Sequence, residues 1–171
     1  MSDTMPDIDV LIEAKGWEAV EGLEALVARA ATTVLAEAGR PAAGVSFLMG
    51  DDATIRRLNA SFRGKDMPTN VLSFPAPSMP GDPALVLGDI ALAFETCARE
   101  AEAEGKTLVD HLTHLVVHGT LHLLGHDHET AAEAEAMEAL EIRLLAGLGI
   151  ADPYAASEPE NPVTAADGGA A

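Results

Sequence analysis

All six histidines of this 171-residue chain fall between His111 and His128. Within that window the chain reads His118-Gly-Thr-Leu-His122-Leu-Leu-Gly125-His126-Asp127-His128. Two histidines four apart on a helix point their rings the same way. A glycine three residues later lets the chain turn, so His128 can come back toward the same face. Three imidazoles with one open position form a catalytic zinc site, not a closed structural one. Nitrogen donors alone do not choose among zinc, nickel and iron, and a structural ion is the alternative. The zinc-protease pattern H-E-x-x-H-x-x-G-x-x-H is reproduced at every histidine and at the glycine. It departs at the second position, where Gly119 replaces the glutamate that activates water. That departure argues against peptide hydrolysis by the protease route.

The neighbouring groups divide into ligands and supports. His114 and His118 are a rival pair four apart, but only His118 and His122 carry the Gly125/His128 continuation. His111 lies about 10 Å from His118 along the helix, at 1.5 Å per residue, too far to share an ion but placed to line a groove. His111 and His114 are therefore read as second-sphere or packing groups, and His126 points away. Asp127 either orients a ligand imidazole, as carboxylates beside metal sites do, or caps the turn. Met137 is read as core, with a floor beneath the metal as the alternative. Glu129, Glu133, Glu135, Glu138 and Glu141 read as a solvated helix face. Cys97, the one cysteine, reads as a small buried apolar residue. A single cysteine also excludes a disulfide framework and a Cys₂ or Cys₄ zinc site.

Ten Lys and Arg against 28 Asp and Glu give a net charge of −18. A wholly electrostatic nucleic-acid binder is excluded, because such proteins carry a basic surplus. Four of the ten cations nevertheless cluster at Arg56, Arg57, Arg63 and Lys65, with no acidic residue in that span. Such a patch can hold a backbone phosphate on an acidic body. Arg63 suits the role because its guanidinium fork meets phosphate bidentately. Its alternative is a cation favouring a helix C-terminus.

The elements that must position these groups follow from periodicity and punctuation. Ile8 to Ile12 alternates as a half-exposed strand. Val20 to Ala38 has helical spacing and stops at Gly39. Gly44 to Met49 is a short buried strand. Asp51 or Asp52 caps a helix ending at Gly64. A short strand lies around Asn70 to Phe74, followed by a Pro/Gly loop over Ser78 to Pro83. Leu85 to Phe94 reads as a strand broken at Gly88-Asp89, where Asp89 suits a bulge or a groove edge. Helices follow at Thr96–Glu104, at Thr107–Leu124 and from Thr130 to Leu148, the last two opened by capping-box patterns. The fold class is α+β, a small mixed four-stranded sheet packed by about five helices. The metal site lies on helix 107–124 and the turn after it. Residues 1–152 form one domain and 153–171 a disordered tail. The start lacks the shape of a signal peptide, and no apolar run approaches the roughly 18–20 residues that span a bilayer. A soluble cytoplasmic protein is expected, with no membrane partner.

Several motifs resemble those of the YbeY family of bacterial metal-dependent endoribonucleases. The His118–His128 segment is similar to its signature. Phe62-Arg-Gly-Lys-Asp66 with Pro68-Thr-Asn-Val-Leu-Ser-Phe-Pro75, Leu87-Gly-Asp-Ile90 and Asp152-Pro-Tyr154 resemble its other motifs. The similarity spans roughly residues 45 to 154. It implies a mixed sheet packed by helices and one zinc held by His118, His122 and His128. The family's essential arginine falls on Arg63. His114, Asp127, Lys65, Asn70, Ser73 and Asp89 are candidates for the second sphere or the substrate groove. The implied activity is cleavage of single-stranded RNA in small-subunit rRNA 3′-end maturation and ribosome quality control. The implied partners are the small ribosomal subunit and a ribosome-associated GTPase. Zinc would lower the pKa of water toward about 7 and polarise a phosphoryl oxygen. With Gly119 in the motif, zinc hydroxide or the 2′-OH is the nucleophile. A ribosome assembly factor with a structural zinc is the competing reading, and a zinc hydrolase of another bond is disfavoured by Gly119.

Overall fold

The computed structural model describes residues 6–77 and 86–154. Among these residues the chain forms four strands and five α-helices. The strands are β1 (Asp7–Ile12), β2 (Gly44–Gly50), β3 (Val71–Pro75) and β4 (Val86–Ala93). The helices are α1 (Leu23–Glu37), α2 (Asp52–Arg63), α3 (Phe94–Ala103), α4 (Leu108–Leu123) and α5 (Ala131–Gly147). The sheet order is β1-β2-β4-β3. β1, β2 and β4 run parallel, and β3 pairs antiparallel with β4 at one edge. This is the expected α+β architecture with a mixed sheet.

Alternation along the central strands sorts side chains onto two faces. Phe47 and Met49 of β2, with Ile90 and Leu92 of β4, enter the main core with α1, α4 and α5. Leu48, Ala91 and Ala93 turn the other way and meet Ile55 and Leu58 of α2. The helix carrying the histidine motif therefore lies on the main-core face of the sheet.

Caps set most of the ends. Asp51 accepts from the Thr54 backbone N–H at 2.9 Å, and Gly64 closes α2 in the left-handed region at φ 69°. Thr107 opens α4 by accepting from Asp110. Thr130 and Glu133 close a full capping box on α5.

Two boundaries differ from the sequence reading. Helix α1 starts at Leu23, not Val20, because Gly22 takes a left-handed conformation before it. A 3₁₀ turn, Lys15–Ala19, precedes it and buries Trp17 completely. The Trp17 indole donates to the Gly50 carbonyl at 2.8 Å. Helix α3 begins at Phe94, directly after β4 with no intervening loop. The Ser78–Pro83 loop and residue Leu85 lie outside the described residues. The tail expected from Pro153 lies outside them from residue 155. Its first two residues are packed, not free: Pro153 is buried and Tyr154 half-buried. No helix among the described residues is long and apolar enough to cross a membrane.

Candidate metal centre

Helix α4 is buried on most sides, touching α1, α3, α5, β3 and β4. Leu112, Val116 and Leu121 sit fully in the core. His111, His114, His118 and His122, spaced three and four apart, make one row along it. Gly119 faces the sheet. A Cβ there would stand 3.3 Å from Ile90 side-chain atoms and from Ser73 Oγ. Ser73 Oγ donates to the Gly119 carbonyl at 3.2 Å. The missing glutamate thus has a packing cause: this position is where α4 approaches β3 and β4, so no base projects from it.

His118 Nε2 and His122 Nε2 stand 3.1 Å apart. After α4, the Gly125 N–H donates to the His122 carbonyl and the His126 N–H to the Leu121 carbonyl. This turn brings the His128 ring centroid to 5.0 Å from that of His122 and 5.8 Å from that of His118. One ring nitrogen from each of the three lies within 4.8 Å of the others, and the trio could hold a metal ion. Two nitrogens bound tetrahedrally at about 2.0–2.1 Å from zinc stand about 3.3 Å apart, so the His118–His122 spacing suits a shared ion. Burial first, then the neighbouring His118 and His128, hold the His122 pKa below its usual 6.5. This favours the neutral imidazole, the form that binds metal. His126 is exposed and stays outside the trio.

The carboxylate beside the trio is not Asp127. Its Oδ1 accepts from the His128 backbone N–H at 2.7 Å, so it serves the turn. Glu141 of α5 takes the orienting position. Expected on a solvated face, it is instead fully buried. Its Oε2 lies 2.6 Å from His118 Nδ1 and its Oε1 3.0 Å from His114 Nε2. The Tyr154 hydroxyl also donates to Oε1. Burial pushes this carboxyl upward, but hydrogen bonds from His114, His118 and Tyr154 outweigh it and hold the pKa at about 2. An ionised carboxylate only accepts, so His118 carries its proton on Nδ1 and presents the Nε2 lone pair to the trio. Partial burial first, then the Glu141 charge it faces, push the Tyr154 phenol well above its usual 10, and it stays protonated as the donor. Met137 is in the core and also lines a cavity of about 280 Å³ with His118, His128 and Glu141.

The remaining candidates are spread over three places. Asn70 donates to Glu100 Oε1 at 2.9 Å, and His111 Nε2 lies 2.9 Å from the same atom. Asp89 is exposed. It lines a groove of about 660 Å³ with Ser46, Leu48, Phe62 and Phe74, on the α2 face of the sheet and away from the trio. Its strand does bulge there, since Gly44 pairs with Val86 but Val45 with Gly88. Of the basic patch, Arg56 is taken by Asp66 at 2.8 Å and Arg57 donates to Thr54 Oγ1. Arg63, in the last turn of α2, and Lys65 are exposed. Among the described residues their side chains have no hydrogen-bond or ion-pair partner, and none joins them to the trio. Cys97 is fully buried, and burial raises its thiol pKa far above the usual 9.0, so it is inert.

Fold and site together define a small α+β domain in which two imidazoles of α4 and one from the turn after it could hold one metal ion. The family model described as Endoribonuclease YbeY matches residues 12–149. The chain is 54% identical over 161 residues to the endoribonuclease YbeY of Rhodopseudomonas palustris strain BisA53, covering 91% of this chain and 94% of that one. It is 56% identical over 152 residues to the endoribonuclease YbeY of Chelativorans sp. strain BNC1, covering 86% and 93%. The solution structure of TM1509 from Thermotoga maritima superposes with a TM-score of 0.52 at 26% identity, covering 83% of this chain and 91% of that one. The chain belongs to the YbeY family.

Proposed function

We propose that this protein is a zinc-dependent endoribonuclease that cuts single-stranded RNA in the cytoplasm. Its task on this reading is maturation of the small-subunit rRNA 3′ end and ribosome quality control. The small ribosomal subunit and a ribosome-associated GTPase are its partners. The activity named for the relatives supports the class of reaction. One observation carries the site: three imidazole nitrogens converge within 4.8 Å, one of them fixed in tautomer by a buried carboxylate.

His118, His122 and His128 would hold the ion. When bound it supplies Lewis-acid chemistry, acidifying water and drawing charge from a phosphoryl oxygen. Glu141 keeps the His118 ring oriented and its proton on Nδ1. Arg63 binds the phosphate through its guanidinium fork and offsets the charge that builds on it during attack. Lys65, two residues on, extends that contact along the backbone. Position 119 is filled by the packing of α4 on the sheet. The nucleophile, water or the 2′-OH, therefore loses its proton without a carboxylate from that site.

The test is cleavage of single-stranded and duplex RNA of one sequence by protein of known metal content, beside Arg63→Ala and His122→Ala. Cleavage of the single strand alone, lost in both variants, is the expected result. No cleavage by folded, zinc-loaded protein would favour an assembly factor with a structural zinc. Equal cleavage by all three would remove the site assignment.

A further inference from the structure

A cavity of about 360 Å³ shares His118 with the histidine trio and is used by no step above. That volume falls in the range of small-molecule sites, which begins at about 300 Å³. In its wall stands Glu100 of α3, which two other segments hold. Asn70, just before β3, donates to Oε1, and His111 of α4 meets the same oxygen. Among the described residues Glu100 Oε2 has no hydrogen-bond partner. The His111 side chain is 5% exposed and that of Glu100 35%. The His111 anchor is therefore sheltered while part of the Glu100 side chain is accessible, with Oε2 left to accept from a ligand.

The chemistry of the lining narrows the ligand. A carboxylate accepts hydrogen bonds and repels anions, so the group it meets is an N–H or O–H donor and not a phosphate. The one cation in the wall, Lys106, is already paired with Glu104 at 2.9 Å. Tyr154 and His114, with ring centroids 5.6 Å apart and planes 82° to one another, add aromatic wall against which a planar group can pack. Beside a site read as one for phosphodiester chemistry, a nucleobase with an exocyclic amino group offers both the donor and the planar ring that this lining suits.

We infer that this cavity is a nucleobase subsite for the RNA that is cut. It takes an unpaired adenine, cytosine or guanine flanking the scissile phosphate, and Glu100 Oε2 accepts from the base's amino group. Uracil has no amino group, and its one base-edge donor, N3–H, lies between two carbonyl oxygens whose lone pairs repel the carboxylate. A base enters such a pocket only when it is out of a duplex, so the subsite contributes to single-strand selectivity. The inference rests on the endoribonuclease reading for its role, but not for its binding chemistry.

The decisive variant is Glu100→Gln. It keeps an oxygen acceptor for Asn70 and His111 and puts an NH₂ donor where Oε2 stood. Zinc-loaded wild type is expected to cut single strands with A, C or G beside the cut about tenfold faster in kcat/KM than strands with U, the size one base contact provides. Glu100→Gln is expected to shift the preference toward U. Separately, cytidine and uridine are titrated into zinc-loaded protein while the His111 and Tyr154 NMR signals are followed. Wild type is expected to bind cytidine more tightly, and the variant to lose that difference. Unchanged base preference in a folded variant would overturn the subsite. So would equal cytidine and uridine binding by wild type, a measurement that stands even if the variant does not fold. Cytidine-selective shifts without any RNA cleavage would keep the subsite and remove the endoribonuclease reading. Cleavage without base preference or nucleoside shifts would do the reverse.

Discussion

Glu141 decides how His118 can meet a metal. With its oxygens shared among His114, His118 and Tyr154, it fixes both the ring plane and the tautomer. Glu141→Gln is expected to weaken zinc binding by about 10–100-fold, the usual effect of removing such a partner. Competition with a chelating dye measures this, and unchanged affinity would deny Glu141 its orienting role. The trio itself was legible because its spacing lies within one segment, and a helix followed by a glycine turn converts that spacing into convergence. Glu141 was hidden by composition, in a helix dense with alanine and glutamate. A signal was present nonetheless: Met137, Glu141, Leu144, Leu145 and Leu148 fall at helical spacing on one stripe. A glutamate on the apolar stripe is a buried acid in search of partners. Asp127 misled for the opposite reason, since an Asp next to a ligand has the turn's own N–H closer to hand.

Caps and close approaches place the elements, and both can be tested by stability. The Thr54 backbone N–H, then its side chain, holds the Asp51 carboxyl below its usual 3.8. A carboxyl depressed in the folded state stabilises fully above its unfolded pKa, and this is lost as pH falls through the folded value. Asp51→Ala is therefore expected to cost about 1 kcal/mol at pH 7. The difference should close as the pH drops below 3.8, read by urea unfolding of both proteins. A difference that persists at pH 2 would contradict the capping role. At the bulge, Gly88 has φ 147°, and a Cβ there would stand 2.2 Å from the Phe74 carbonyl oxygen. Gly88→Ala is expected to destabilise by more than about 2 kcal/mol in the same measurement. A neutral substitution would contradict the packing of β3 on β4. Helix and strand identities were legible because periods of 3.6 and 2 differ plainly. The sheet order was not: β2 and β4 carry buried apolar residues on both faces, so no residue on either names its neighbour. The 3₁₀ turn around Trp17 leaves no mark in the sequence pattern, because five residues carry no period.

The whole molecule is an acidic body with one small cationic patch, and the structure thins that patch further by pairing Arg56 with Asp66. Few phosphate contacts are then available, so RNA binding should depend only weakly on salt. For single strands each neutralised phosphate adds about 0.7 to the slope of log K against log salt. Arg63→Ala is expected to flatten that slope by about 0.7, measured by fluorescence anisotropy. An unchanged slope would place the phosphate contact elsewhere. Charge and cysteine count read directly from composition, whereas which cations remain unpaired depends on contacts between α2 and the segment after it. On this reading the histidine trio holds the ion on which RNA cleavage depends. The direct test strips metal from the purified protein, assays single-stranded RNA, then restores zinc. Wild type should lose cleavage and regain it, while His122→Ala regains nothing. Full activity in the stripped protein, or rescue of His122→Ala by the same zinc, would contradict the claim.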